Sequence, residues 1–166
     1  MNSIPFDIDA IISIIDVRQG LEWNGGVFNS DEDFSILYTL LDYMNSGVPV
    51  EDYFYKGDIY RIHCRSDEPP FELPVTKYTN KISCFSKSYD FTKECYYKVC
   101  KKDQSIFFHA NTGSMYGLDV TAFLNKFGKI NRFEGEEEVL FPFSKEYIIK
   151  EYRCTPNQFK YYMRGG

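Results

Sequence analysis

The sequence predicts a single α+β domain in which N-terminal helices pack on a β-rich remainder. Residues 1–50 space their apolar side chains as helices do, whereas residues 56–166 consist of short alternating segments between turns. Helices first and strands later is an order typical of α+β domains. Aromatic residues make up 18% of the chain, with 14 Tyr and 15 Phe, and their large buried area suits a sheet-rich core. A length of 166 residues corresponds to one domain.

Two helices are predicted in the N-terminal part. The first covers residues 7–19, where aliphatic side chains recur at helical spacing, acidic residues lie near the start and Gly20 follows the end. The second begins at Ser30, which stands three residues before Asp33 in an arrangement resembling a capping box, and it ends near Gly47. The apolar face of this second helix consists of Phe34, Leu37, Leu41 and Met44.

From residue 56 the chain alternates between strand-like and turn-like segments. Strands are predicted over 59–64, 81–85, 105–109, 138–141, 147–149 and 159–163. A short helix is predicted over 90–99, and a short helix or a turn segment over 118–127. Residues 66–80 are polar and contain three prolines, so a loop is predicted there.

Charge and cysteine usage exclude several classes of protein. The net charge of −5 does not favour a nonspecific polyanion binder, although basic residues between 87 and 132 leave a local RNA-facing surface as an alternative. The five cysteines show no CxxC spacing and the two histidines are far apart, so we expect no metal site and free thiols in a reducing compartment. There is neither a signal-peptide pattern nor an apolar run near the roughly 20 residues of a membrane helix. We therefore expect a cytoplasmic protein without a membrane partner.

Two segments offer polar side chains on predicted strands, and each has an ordinary structural alternative. Arg61 is surrounded by apolar neighbours, so it is either an edge-strand arginine facing water or a guanidinium held at a cleft to bind phosphate or carboxylate. Ser86 and Ser88 follow a predicted strand. Their hydroxyl groups either hydrogen-bond a neighbouring carboxylate, or Ser88 or Asp90 caps the next helix.

A third segment is the acidic run over residues 134–138, which leads directly into an apolar strand. Such runs are usually solvated surface. In a strand, Glu136 and Glu138 would point to one side and Glu137 to the other. Two carboxylates on one face raise each other's pKa or need a cation nearby, so they are candidates for acid–base or cation-stabilising groups.

The three segments, in their order along the chain, resemble the signature of the Arg–Ser–Glu class of mono-ADP-ribosyltransferases, which includes small bacterial toxins and bacteriophage enzymes. The matching segments are Tyr60-Arg61, Phe85-Ser86-Lys87-Ser88 and Glu136-Glu137-Glu138-Val139-Leu140-Phe141-Pro142. Gly117-Leu118-Asp119-Val120 also resembles a segment of that family, and the resemblance covers residues 34–152. Two positions depart from the pattern. Ile62 replaces the glycine that usually follows the motif arginine, and Lys87 replaces a threonine.

The resemblance implies a fold with two small sheets around an NAD cleft, and an enzyme that transfers ADP-ribose from NAD, its substrate, to an acceptor with release of nicotinamide. It implies that Glu138 stabilises the cationic ribose and that Ser86 hydrogen-bonds Glu138. Arg61 would grip the pyrophosphate or the adjacent ribose, and Ser88 would line the same wall. Glu136 would face the acceptor, which the resemblance predicts to be a protein arginine.

Other functions remain open at this point. Related enzymes modify RNA or DNA bases as toxins of toxin–antitoxin or phage-defence systems, in which case an antitoxin protein is a further partner. A non-enzymatic binding module would carry its glutamates on the surface and would not bind NAD. A glycosidase using two carboxylates is less favoured, because Glu136 and Glu138 would both project from one strand rather than flank a bond from opposite sides.

Overall fold

The computed structural model describes residues 5–20, 31–63, 82–99, 106–129 and 134–165. The helices in this part of the chain are α1 (Ile8–Gly20), α2 (Asp31–Met44), α3 (Tyr89–Val99), α4 (Val120–Lys126) and α5 (Pro156–Gly165). The strands are β1 (Phe54–Tyr55), β2 (Asp58–His63), β3 (Ile82–Ser86), β4 (Ile106–Asn111), β5 (Gly117–Asp119), β6 (Glu138–Pro142) and β7 (Ile148–Arg153). Short 3-10 helices cover Glu134–Glu136 and Lys145–Tyr147.

The predicted mixture of N-terminal helices and later strands is confirmed, and so are the predicted helices over 7–19 and 90–99. Asp7 caps α1 by accepting a hydrogen bond from the Ala10 N–H at 3.1 Å. The predicted helix start at Ser30, the predicted loop over 66–80, and the residues Cys64, Cys100 and Ser105 lie outside the described residues.

The described strands form one antiparallel sheet in the order β1-β5-β6-β3-β2-β4-β7. The expectation of two small sheets is therefore wrong for this part of the chain. The reason lies at the centre of the sheet, where Tyr60 on β2 pairs with Ser86 on β3. This pairing joins a group containing β1, β5, β6 and β3 to a group containing β2, β4 and β7.

Three apolar clusters cover the sheet. The first packs α1, α2 and α4 against residues from β3, β5 and β6, including Ile82, Leu118 and Leu140. The second consists of Ile59, Phe85, Ile106, Phe108, Ala110, Val139, Phe141 and Phe143. The third joins α3 and α5 to the sheet through Tyr96, Phe107 and Phe159. Within this third cluster the Tyr96 hydroxyl donates to the Cys154 carbonyl, and burial raises the pKa of Tyr96.

The predicted strand over 159–163 is wrong, because these residues belong to α5. The Thr155 hydroxyl accepts from the Gln158 N–H at 3.2 Å, and the Gln158 side chain accepts from the Thr155 N–H at 3.0 Å. This reciprocal cap starts a helix at Pro156, a residue type favoured in the first turn. Phe159 is buried while the four residues after it are exposed, as expected for a helix with one contact face.

Among the described residues, no helix combines the length and the apolar character that crossing a lipid bilayer would require.

Candidate functional site

The three segments that the sequence singled out lie on neighbouring strands, since β6, β3 and β2 are adjacent in the sheet. Ser86 lies directly opposite Glu138 on β6 and directly opposite Tyr60 on β2. Residues paired in this way share one face of the sheet, with Cβ atoms roughly 4.5–5.5 Å apart. Glu138, Ser86 and Tyr60 therefore form a cross-strand row on one face.

Glu138 and Ser86 are both buried, with 4% and 7% of their surfaces exposed. A buried carboxylate costs free energy unless it is paired or hydrogen-bonded. Glu138 has polar contacts, but its Oε1 is a buried oxygen that accepts no hydrogen bond within the described part of the chain. The fold thus holds a carboxylate in a poorly solvated position at the start of β6.

The hydroxyl of Ser86 fixes the turn that leads into Glu138. It donates to the Glu136 carbonyl at 2.6 Å and accepts from the Ser88 N–H at 3.0 Å. Ser86 therefore ties the end of β3 to the backbone two residues before Glu138, which orients the start of β6.

The chain turns sharply before Glu138. Glu136 ends a 3-10 helix, and Glu137 has a φ of 48°, in the left-handed region that side-chain-bearing residues rarely adopt. The Glu137 carbonyl accepts from the Lys87 N–H at 3.0 Å. The prediction that Glu136 and Glu138 lie on one face of the same strand is wrong, because β6 begins at Glu138 and does not include Glu136. Glu136 lies half-buried in the 3-10 helix instead.

Replacing Glu137 by glycine is expected to raise the free energy of unfolding by roughly 0.5–1 kcal/mol, because glycine adopts a positive φ without steric cost. Urea denaturation monitored by circular dichroism measures this change. Glu137→Ala is the matched control, since it removes the same carboxylate but keeps the backbone strain. An equal gain in both variants would show that the carboxylate, and not the backbone conformation, is destabilising.

Ser88 is the N-terminal cap of α3. Its hydroxyl accepts from the Phe91 N–H at 3.1 Å, and its carbonyl accepts from the Thr92 N–H and hydroxyl. The capping alternative considered for Ser88 is thereby confirmed.

Arg61 occupies an interior strand rather than an edge, because β2 lies between β3 and β4. Its Nη1 donates to the Cys84 carbonyl at 2.7 Å, and its guanidinium lies 5.9 Å from the centre of the Phe143 ring. Successive strand residues point to opposite faces, so Arg61 leaves the sheet on the face opposite to that of Tyr60 and Ser86. The fold brings Ser86, Glu138, Glu136 and Ser88 together, and strand alternation places Arg61 on the other face of the sheet, with Nη1 on the Cys84 carbonyl.

A cavity of about 470 Å³ lies next to the segments that follow Ser86 and precede Glu138. It is lined by Lys87, Asp119, Thr121, Ala122, Asn125, Gly135 and Glu137. Lys87 directly follows Ser86 and Glu137 directly precedes Glu138, so the cavity adjoins the turns that flank the pair. Ser86 and Glu138 themselves do not line it, and Asp119 lies opposite Val139, on the face of the sheet opposite to that of Glu138.

Lys87 and Asp119 form an ion pair at 2.7 Å within this cavity. Asp119 also caps α4 by accepting from the Ala122 N–H at 3.1 Å. Gly117 lets this segment approach β6 closely, because a Cβ there would lie 2.9 Å from Cγ1 of Val139. The sequence drew attention to Lys87 and Asp119 only through the family pattern, and their pairing was not predicted.

The cross-strand row continues beyond Tyr60. His109 on β4 lies opposite Tyr60, and Lys150 on β7 lies opposite His109. The Tyr60 and His109 rings stack with centres 4.9 Å apart and planes inclined by 24°. Sequence reasoning missed His109 and Lys150, because no local pattern reveals which residues of distant strands are in register.

Asp58 holds the His109 ring in place. Its Oδ1 lies 3.0 Å from Nε2 of His109 and accepts from the Asn111 amide at 3.0 Å. The Asn111 hydrogen bond, and then that of His109, lower the pKa of Asp58 below its ordinary value.

A scan against protein-family models finds no match for this chain, and searches of curated proteins and of solved structures find no significant similarity to either.

Metal-ligating side chains do not cluster within the described part of the chain, where no group of three or more His, Cys, Asp or Glu residues is placed to hold an ion. The described site consists of a buried carboxylate and a serine whose hydrogen bonds orient the turn that leads into it.

Proposed function

We propose that this protein is an NAD-dependent mono-ADP-ribosyltransferase. One observation carries the proposal: Ser86 and Glu138, which come from separate segments of the predicted signature, are directly opposite each other on adjacent central strands and are both buried. The strand that carries Tyr60-Arg61 lies next to them. A chance match of short motifs would not require these segments to be neighbours.

In the proposed reaction the bond between C1′ of the ribose and the nicotinamide nitrogen breaks, and its electron pair leaves with nicotinamide. Positive charge develops on the ribose, as in glycoside hydrolysis. A carboxylate fixed beside the sugar stabilises that charge more strongly where water is excluded. Glu138 is buried and its backbone is oriented through Ser86, so we assign it this catalytic role.

An acceptor nitrogen then forms the new bond to C1′ and loses a proton. A guanidinium has a pKa above about 12, so an arginine acceptor needs a carboxylate to align it and to receive the proton. We assign this role to Glu136, which is half-buried two residues before Glu138.

Arg61 receives a positioning role in this proposal. A pyrophosphate contact would require its guanidinium to leave the Cys84 carbonyl and to move to the other face of the sheet. In its present position Arg61 binds β2 to β3 close to the Tyr60–Ser86 pairing, and so supports the strand that carries Ser86.

The purified chain, incubated with NAD labelled in its adenylate half, is expected to release nicotinamide and to label an arginine-rich protein. Chromatography measures the nicotinamide, and mass spectrometry locates the ADP-ribose on arginine. A parallel incubation with total RNA distinguishes a nucleic-acid acceptor. The proposal is wrong if the folded protein releases no nicotinamide with either acceptor.

A further inference from the structure

We propose that Tyr60, His109 and Lys150 form a binding platform for the adenosine half of NAD. This inference rests on the proposed transferase function and deepens it by assigning the second half of the dinucleotide site. Its basis is the continuous row Glu138, Ser86, Tyr60, His109 and Lys150, which crosses β6, β3, β2, β4 and β7 on one face of the sheet.

The length of the row fits an extended dinucleotide. Neighbouring strands lie roughly 4.8 Å apart, so the four steps from Glu138 to Lys150 cover about 19 Å. With the nicotinamide ribose at Glu138, the phosphates would pass beside Tyr89, whose ring packs edge-on against Tyr60 at 5.4 Å, and the adenosine would lie towards His109. The same row therefore begins at the proposed catalytic carboxylate and ends at a cation.

The side chains along the far end of the row suit a nucleotide. The His109 ring stacks on Tyr60 and its side chain is 29% exposed, so the part of the ring that Tyr60 leaves open offers a surface on which a base can stack. Two further aromatic rings with lysines beside them lie next to the pair: Lys93 Nζ is 5.3 Å from the centre of the Tyr89 ring, and Lys150 Nζ is 4.8 Å from that of Tyr152. Interleaved rings and cations match the base and the phosphates of an adenine nucleotide.

The platform is held in a fixed geometry while it remains accessible. His109 and Asp58 are 29% and 53% exposed at their side chains, and Asn111 and His109 fix the Asp58 carboxylate. Carboxylates near a bound dinucleotide commonly accept hydrogen bonds from ribose hydroxyl groups. Asp58 therefore contributes a second polar contact for the adenosine ribose beside the stacked rings.

The platform also supplies positive charge on the face where Glu138 lies. Arg61 leaves the sheet on the other face, whereas Lys150 belongs to the same row as Glu138. Phosphates placed along the row would thus meet a cation without any rearrangement of the sheet.

The chain contains only two histidines, His63 and His109, so carbon–proton NMR spectra of the histidine rings give a direct test. ADP, which lacks nicotinamide and cannot be turned over, is expected to shift the His109 ring signals and not those of His63. Signals are assigned with the His63→Gln variant. Adenosine is expected to shift the same signals more weakly, and its Kd is expected not to change in Lys150→Ala, because adenosine carries no phosphate.

Substitutions of His109 and Lys150 test the proposal through the Kd for ADP. His109→Ala is expected to raise the Kd for ADP at least fivefold, and Lys150→Ala about threefold. Lys98→Ala, which removes a lysine from the exposed surface of α3, is the matched control and is expected to have no effect. His109→Gln replaces His109→Ala if circular dichroism shows that the alanine variant is unfolded. An unchanged Kd in both row variants overturns the proposal.

The outcomes separate this inference from the proposed function. If ADP shifts His109 but NAD is never consumed, the nucleotide platform stands and the transferase assignment fails. If NAD is consumed while its KM is the same in wild type and His109→Ala, the transferase stands and the platform fails. Binding of oligoadenylate RNA at His109 without binding of ADP overturns the dinucleotide assignment in favour of a nucleic-acid surface.

Discussion

For the proposed transferase reaction, replacing Glu138 by glutamine is expected to lower the rate of nicotinamide release by about 10²–10³-fold, the loss typical of removing one electrostatic contact to a transition state. Glutamine keeps the shape of the side chain, but it cannot carry the negative charge that stabilises the positive charge developing on the ribose. The effect is expected in the rate at saturating NAD more than in the KM for NAD, because the cationic ribose exists only in the transition state.

The fold should survive this substitution. Glutamine is close in size to glutamate, and it removes a charge that is 96% withdrawn from solvent, so we expect the free energy of unfolding to fall by no more than about 1 kcal/mol. Glu146→Gln is the matched control, because it makes the same change at an exposed glutamate in the 3-10 helix Lys145–Tyr147. Full activity of Glu138→Gln would remove the carboxylate from the mechanism.

Replacing Phe107 by alanine is expected to lower the free energy of unfolding by about 3–5 kcal/mol. Phe107 is 1% exposed, and its ring lies at the centre of the cluster that joins α3 and α5 to the sheet. It stacks on Phe159 with ring centres 4.8 Å apart, and it meets Tyr96 edge-on at 5.9 Å. The substitution therefore leaves a cavity that neither helix fills without leaving its position on the sheet.

Urea denaturation of the variant measures this loss, with Tyr161→Ala as the control. Tyr161 is an aromatic residue of α5 that is 73% exposed, so its removal is expected to change the free energy of unfolding by less than about 0.5 kcal/mol. A loss below 1 kcal/mol in the free energy of unfolding of Phe107→Ala would contradict the packing of α3 and α5 on β4.

Tyr60 also packs on Phe107. The Kd of a folded Phe107→Leu variant for ADP therefore tests whether Phe107 supports the nucleotide platform.

The centre of the sheet explains why one sheet forms in place of the two that were expected. Tyr60 and Ser86 form the described Cα pairing between β2 and β3, and Arg61 adds a side-chain hydrogen bond to Cys84 nearby. The two groups of strands meet along this short junction, whereas β3 and β6 pair over five residues. The proposed site lies at this junction, where residues from both groups come together.

Features determined by neighbouring residues were predictable from the sequence. Apolar spacing and an acidic start predicted α1, and alternation predicted most of the strands to within a few residues. Ser88 was considered as a helix cap, and its hydroxyl does cap α3. The error over 159–163 has the same local origin, because aromatic residues favour strands while the reciprocal cap between Thr155 and Gln158 starts a helix.

The sequence by itself determined most of the helices and strands and the segments in which polar side chains meet apolar strands. Only the tertiary structure decided that Glu138, Ser86, Tyr60, His109 and Lys150 share one row, that Arg61 faces the other way, and that Lys87 pairs with Asp119 beside a cavity. Helix periodicity and capping depend on residues a few positions apart. Strand register depends on pairing between distant segments, and a shift of one residue would move every side chain of a strand to the opposite face.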